Sequence, residues 1–385
     1  MSAKSTSISH DRNRNDNKSH EKIQRLANLA GITINGDQPW DIQVHNPKLY
    51  ARVLTQGPLG LGEAYMDGWW SCDEIDTFVQ KIYDANLTSY VRTWIDRTEL
   101  LFAVLMNLQS GSRAFTVGKR HYDIDNDLYR AMLGPRMTYS CGYWRQARTL
   151  DAAQEAKLDL VCRKLFLEPG MRVLDIGCGW GGAAEFAVQR YRVEMVGVTV
   201  SEQQARVARQ RCKDLAVSIE LKDYKAIEGR FDRIFSLGMF EHVGFKNYPA
   251  YMRFVLEHLE EDGLFLLHTI GANYSDRINN AWVDKYIFPN SMLASIAQIG
   301  KATENLLVME DWQNFGPDYD QTLLAWFRNF DAAWPELKDR YDQRFYRMWQ
   351  YYLLSFAGAF RSRETQLWQI VFSRKGRRSR YDSPR

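Results

Sequence analysis

The sequence predicts an α/β protein built from parallel β-α-β units, and three observations predict it. Strand candidates recur at 171–176, 194–199, 217–222, 231–237 and 263–269, with helical patterns at 181–190, 202–213 and 247–259 between them. The segment Val173-Leu174-Asp175-Ile176-Gly177-Cys178-Gly179-Trp180-Gly181-Gly182 reads as a buried strand running through a glycine-rich turn into a helix. Ahead of it, Glu168-Pro169-Gly170 breaks a helix expected from Leu150 to Phe166.

The elements follow in chain order. Residues 1–20 are rich in Ser, Asn, Lys and Asp and read as a disordered tail, with no signal peptide or anchor. A small, mainly helical domain is expected over 21–90. It begins with a short amphipathic helix at Lys22–Leu29, followed by weaker segments at Ile42–Val44 and Leu49–Thr55. A glycine-bounded aromatic helix or turn at Gly60–Trp70 and a helix at Ile75–Ala85 complete it. A helical linker is expected over 91–120, with an apolar core from Trp94 to Leu108. The catalytic domain is placed at 121–374. A mostly helical cap covers about 271–355 within it, including helices at Thr322–Trp334 and Arg340–Phe356. Leu306–Glu310 and Gln366–Ser373 read as further strands, and 375–385 is a basic tail.

The bulk numbers exclude several classes. A chain of 385 residues is long enough for about two domains. A net charge of +3, with no extended basic stripe, gives no sign of a nucleic-acid partner. Five cysteines without a C-x-x-C pair indicate a reducing compartment, and no zinc-ligand spacing is present. No apolar run reaches the roughly 18–20 residues that span a bilayer.

The glycine turn lets backbone N–H groups approach a ligand, and Asp175 at the strand end can accept hydrogen bonds from a ligand ammonium. Because Asp175 precedes the glycines, the pattern D-x-G-x-G-x-G resembles motif I of S-adenosylmethionine-dependent methyltransferases better than a nicotinamide fingerprint. The second strand ends in Gly197-Val198-Thr199-Val200-Ser201, without the usual acidic ribose clamp. Glu202, Gln203 or Gln204 remain open for that role. Asp223 follows the third strand, where it is either an adenine-side contact or a turn acid. Tyr139 and Ser140 offer hydroxyls for a carboxylate, and nearby Tyr and Trp faces attract a sulfonium cation; the same residues also suit a packed aromatic collar.

Several separated motifs, in order, resemble the cyclopropane fatty acid synthase family, which includes the mycolic acid cyclopropane synthases. They are Gly60–Trp70, His121-Tyr122-Asp123, Tyr139-Ser140-Cys141, Val173–Gly182, Gly238–Gly244, Phe265–Gly271, Tyr286–Asn290 and Ala359-Phe360-Arg361. The resemblance implies a Rossmann-like class I methyltransferase fold with a mostly helical cap insertion, preceded by a small helical domain that engages lipid. It implies methylene transfer from S-adenosylmethionine to the cis double bond of acyl chains in membrane phospholipids, with a bound bicarbonate ion as the base. The implied bicarbonate ligands are Cys141 through its backbone region, Glu241, His268, Ile270 through its N–H, and Tyr319 through its hydroxyl. The implied donor contacts are Tyr139, Ser140, Gly177, Gly179, Thr199, Gln203 and Asp223, beside Asp175. A homodimer and a cytoplasmic location, peripheral at the inner face of the membrane, are implied too. Asp125, where relatives more often carry Gly, is the visible departure.

An unactivated alkene has no lone pair for a side-chain base to expose. The enzyme must instead align the double bond with the methyl in a dry pocket and stabilise the developing cation. Cys141 reads as pocket wall, because no covalent step is needed, and His242 reads as a second-layer or surface residue. Trp69-Trp70, Phe78, the 94–108 segment and the basic tail are candidate lipid or subunit contacts, the tail reading equally well as a solubilising disordered end. Two other readings are a methyltransferase for a small polar acceptor and a non-catalytic lipid-binding protein. The apolar 271–334 region opposes the first, and intact motifs at Asp175, Gly177, Gly179, Glu241, His268 and Tyr319 oppose the second.

Overall fold

The computed structural model describes residues 19–87, 126–275 and 280–385. Most of the 1–20 tail, the expected 91–120 linker helix, the His121-Tyr122-Asp123 motif and Asp125 lie outside the described residues.

The chain divides into two compact units. One holds the described residues up to 87 together with 280–287 and 334–364, and the other holds the remainder. The sequence reading assigned 280–287 and 334–355 to a cap on the catalytic domain, whereas here they pack with the N-terminal helices.

In the first unit, helix α1 covers residues 19–29 and α2 covers Lys48–Met66. The α2 pattern was hard to read because Gly57, at φ 55°, kinks the helix just before Pro58. Strands β1 (Gln43–Val44) and β2 (Trp70–Ser71) pair antiparallel, and α3 is Ile75–Asp84. Trp70 is fully buried, with ring centroids of Tyr65, Phe78 and Tyr351 at 4.9, 5.3 and 6.2 Å. Trp70 and Phe78 are therefore core residues, not surface contacts for lipid. Their apolar area is more stable packed against aromatic neighbours than in water.

The second unit is built on an eight-stranded sheet. Strands β3 (Arg172–Ile176), β4 (Glu194–Thr199), β5 (Val217–Leu221), β6 (Phe231–Leu237) and the first part of β7 (Leu259–Ala272) run parallel in the order β5-β4-β3-β6-β7. Two-residue β8 (Ala294–Ser295) pairs parallel with the end of β7. Strand β10 (Thr365–Arg374) then inserts antiparallel between β7 and β9 (Leu307–Asn314), so the sheet is mixed at this edge.

Side chains alternate across each strand. Leu174, Ile176, Val198, Phe265 and Leu267 enter one core cluster, while Val173, Met195, Leu264 and Leu266 enter another. Each face is covered by helices: α8 (Tyr248–His258) on the first, and α5 (Leu150–Lys164) and α6 (Gly182–Tyr191) on the second. The remaining helices of this unit are α4 (Asn126–Leu133), α7 (Glu202–Arg211), α10 (Ile296–Thr303) and most of α11 (Gly316–Leu337), while α9 (Ala281–Tyr286) and α12 (Gln343–Arg361) belong to the first unit. The doubly covered sheet explains why β3, β4, β6 and β7 read as apolar runs.

The basic tail is docked. The Arg385 guanidinium pairs with Asp311 at 2.7 Å, Ser379 Oγ donates to Asp262, and Tyr381 packs on Phe166 at 5.3 Å. A disordered end does not describe it, although Lys375, Arg378 and Arg380 stay exposed.

Candidate active site

The glycine turn at the end of β3 forms one wall of a pocket. Gly177, Gly179 and Gly181 all have positive φ, at 91°, 54° and 80°, a region that favours glycine. Gly177 has a second reason to lack a side chain, since a Cβ there would lie 2.8 Å from Met239 Cβ. The pocket is lined by Met137–Ser140, Asp175–Trp180, Val198–Ser201, Gln204, Lys222–Lys225, Leu237–Met239, His242, Val243 and Asn247, among others. It lies at the carboxyl ends of β3, β4, β5 and β6, the ligand edge of a parallel sheet.

Of the expected donor contacts, Tyr139, Ser140, Asp175, Gly177, Gly179, Thr199 and Asp223 line this pocket, and Gln203 does not. Its neighbour Gln204 takes the inward position, because Ser201 caps α7 and fixes the helix phase there. Gln204 Oε1 then accepts from Thr199 Oγ1 at 2.8 Å. Asp223 both lines the pocket and accepts from the Lys225 N–H at 3.0 Å, so the two readings of it coexist.

Asp175 is buried, with Oδ1 unpartnered among the described residues, and burial pushes its carboxyl up to about 8. Tyr139 packs against Tyr129 at 5.4 Å, Trp326 at 5.3 Å and Phe288 at 6.3 Å, giving an aromatic wall beside the pocket. The sequence reading placed His242 in a second layer or at the surface, and the structure corrects this. His242 lines the pocket, and burial lowers its pKa to about 4. A neutral ring there does not repel a cationic ligand.

A second polar cluster adjoins this pocket through the chain itself. Glu241 sits in the 3-10 turn Phe240–His242, between the pocket residues Met239 and His242. Pocket residue Gly238 donates its N–H to the His268 carbonyl at 2.9 Å. Glu241 Oε1 accepts the Ile270 N–H at 2.6 Å. That amide was expected at an anion; β7 instead runs on to Ala272 and lays it against the Glu241 turn. Glu241 Oε2 and His268 Nε2 are buried without a partner among the described residues.

Burial raises the Glu241 carboxyl to about 7 and pushes His268 well below its usual range, with Lys157 and Lys164 adding to the shift. Gln369 Nε2 lies 3.3 Å from His268 Nδ1. With the Gln369 amide in this orientation, its nitrogen donates to Nδ1 and the ring proton sits on Nε2. The cluster therefore offers a carboxylate acceptor and an imidazole N–H donor, a set that fits a small anion carrying one O–H.

The remaining expected residues come together on α11 and the 139–144 loop. Thr322 Oγ1 accepts the Gly142 N–H at 3.0 Å and the Trp144 Nε1–H at 2.9 Å, and donates to the Asp318 carbonyl at 2.8 Å. Asp318 Oδ1 accepts the Trp144 N–H at 2.6 Å. These bonds seat Cys141 beside the helix that carries Tyr319, whose ring meets Trp326 at 5.8 Å. Cys141 is fully buried, and burial holds its thiol well above the usual range. Thiols in that state are poor nucleophiles. Cys141→Ala is expected to keep turnover within about tenfold of the parent while leaving the backbone in place. Steady-state rates check this, and a loss of 10³ or more would assign the sulfur a chemical role.

A glycine turn, a strand-end carboxylate and an aromatic wall on this sheet define a class I methyltransferase. Coclaurine N-methyltransferase shares the fold, with a TM-score of 0.67 at 22% identity over 82% of this chain and 99% of that one. The family model described as mycolic acid cyclopropane synthetase matches residues 109–370, and the chain belongs to that family. It is 52% identical to the cyclopropane-fatty-acyl-phospholipid synthase of Escherichia coli K12 over 360 residues, 93% of this chain and 94% of the relative. A probable fatty acid methyltransferase of Pseudomonas putida is 36% identical, over 65% of this chain and 67% of its own length. Mycolic acid cyclopropane synthase CmaA1, solved with SAH and CTAB, superposes with a TM-score of 0.64 at 32% identity, covering 67% of this chain and 97% of that one.

Proposed function

We propose that this chain transfers a methylene group from S-adenosylmethionine to the cis double bond of unsaturated acyl chains in membrane phospholipids, forming a cyclopropane ring. The observation that carries the reading is the buried Glu241–His268 cluster, joined by chain neighbours to a methyltransferase donor pocket.

S-adenosylmethionine supplies an electrophilic methyl when bound. Asp175 accepts from its ammonium, Tyr139 and Ser140 serve its carboxylate, and the glycine turn admits its close approach. Tyr139, Trp326 and Tyr319 form an aromatic face suited to the positive charge that develops on the alkene carbons. Phe288 packs on both Tyr139 and His242, and the Met292 N–H donates to the Glu241 carbonyl at 2.8 Å. The 288–292 segment thereby shields the site from water, which would otherwise hydrate the cation.

Bicarbonate supplies the base for ring closure when bound. Glu241 would hold it by accepting its O–H and His268 by donating from Nε2, with the Cys141 backbone and the Tyr319 hydroxyl as further ligands in this reading. Two bare anions would repel in this dry site, so the bicarbonate proton shared with Glu241 is essential to the fit. In the same reading the chain works as a homodimer at the inner membrane surface in the cytoplasm. Among the described residues no helix is long and apolar enough to cross a membrane.

The test is incubation of the protein with S-adenosylmethionine, bicarbonate and vesicles of a cis-monounsaturated phospholipid. A gain of one CH₂ per acyl chain by mass spectrometry, with upfield ring protons by NMR, is expected. An unchanged lipid pool alongside retained donor binding would overturn the reading.

A further inference from the structure

We propose that Lys157 is a positioning residue for the methyl donor. Its ammonium fixes the Ser140 hydroxyl as an acceptor, leaving the Ser140 O–H to donate to the donor's carboxylate. The inference rests on the reading of the pocket as the donor site.

Helix α5 carries Gln154 and Lys157 three residues apart, hence on one face. Both are buried, Lys157 completely. They hold Ser140 from two sides: Gln154 Nε2 donates to the Ser140 carbonyl at 2.8 Å, and Lys157 Nζ donates to Ser140 Oγ at 2.8 Å. An ammonium carries three donors and no acceptor. Against it the hydroxyl oxygen must accept, so the hydroxyl proton turns to another acceptor. Ser140 itself lines the pocket. The result is a directed O–H donor, polarised by a cation behind it, at a place where the ligand presents a carboxylate.

A buried ammonium is costly, and an apolar side chain of the same length would fill this space with less penalty. Burial indeed drives Lys157 down to about 7. The Asp175 carboxylate, when ionised, favours its charged form, whereas the Cys141 thiol, held neutral by burial, does not. A bound carboxylate one hydroxyl away would add to the effect of Asp175.

A double-mutant cycle read by calorimetry tests this with two ligands, S-adenosylhomocysteine and 5′-methylthioadenosine, which lacks the carboxylate. Lys157→Met and Ser140→Ala are each expected to weaken S-adenosylhomocysteine about tenfold (about 1.4 kcal/mol). The double variant should lose no more than either single variant. Methylthioadenosine affinity should change by less than about twofold throughout. Losses that multiply in the double variant, or an equal loss on methylthioadenosine, would overturn the proposal. Should circular dichroism show Lys157→Met unfolded, Lys157→Leu, which likewise has no donor, takes its place in the cycle with the same expectations. Failure of the unsubstituted protein to bind S-adenosylhomocysteine would instead strike the donor-site reading.

Discussion

Glu241→Gln is expected to lower turnover by about 10²–10⁴, the range in which positioned proton chemistry contributes, while donor affinity stays within about twofold. Gln keeps the oxygen that accepts the Ile270 N–H, so the turn survives. What disappears is the second carboxylate oxygen, buried and without a partner among the described residues. The role assigned to Glu241 requires its ionised form, and burial raises that ionisation to about 7. Turnover at constant bicarbonate concentration should therefore rise with pH through about 7 in the parent. The rise should vanish from the residual rate of the variant. An unchanged profile would move the base function away from this cluster.

The same ionisation has a stability counterpart of the opposite direction. The unfolded chain ionises Glu241 near its ordinary value of 4.5, and the folded chain only near 7. Folding therefore retains a proton in that window. The contribution is fully present below about 4.5 and is lost as pH rises through about 7. Glu241→Gln removes this dependence. The variant should match the parent near pH 4.5 and exceed it at pH 8 by roughly 3 kcal/mol at most, read as urea midpoints at the two pH values. A variant that is less stable at pH 8 would mean that the carboxylate is paired in the folded chain.

The sheet was legible because its strands are buried on both faces, and apolar runs such as Met195–Val198 and Leu264–Leu267 need no partner to be recognised. Strand β9 runs beyond the expected Glu310 because Asp311, Trp312 and Gln313 owe their strand conformation to pairing with β10, which local pattern does not carry. Donor-site residues were legible where backbone geometry demands one residue type, as at Gly177 and Gly179. Gln203 and Gln204 differ only by helix phase, which the Ser201 cap sets. Lys157, Gln154 and Thr322 carried no signal at all. A lysine or glutamine on a helix reads as a solvated face, and their targets at Ser140 and Gly142 are visible only once the chain is folded.

Gly177→Ala is expected to abolish measurable donor binding, a loss of at least about 100-fold, and turnover with it. Two independent effects act at this one atom. A φ of 91° is a conformation that L residues rarely adopt, with a strain on the order of 1–3 kcal/mol. The new methyl would also lie 2.8 Å from Met239 Cβ, well inside contact distance. Neither side yields easily. Gly177 N–H is bound to the Val198 carbonyl at 3.0 Å, and the Met239 carbonyl accepts the His242 N–H at 3.0 Å. Displacing Met239 would shift Gly238 and His242 in the donor pocket and Glu241 in the neighbouring cluster together. The substitution should thus impair both halves of the site, whereas Gly179→Ala, with no atom within 4 Å of the new Cβ, meets only the strain of its φ of 54°. Calorimetric titration of both variants with S-adenosylhomocysteine separates the two effects. Equal losses would count against the Met239 contact, and a larger loss at Gly177 that is relieved by Met239→Ala in the same chain would establish that contact as the link between donor pocket and Glu241.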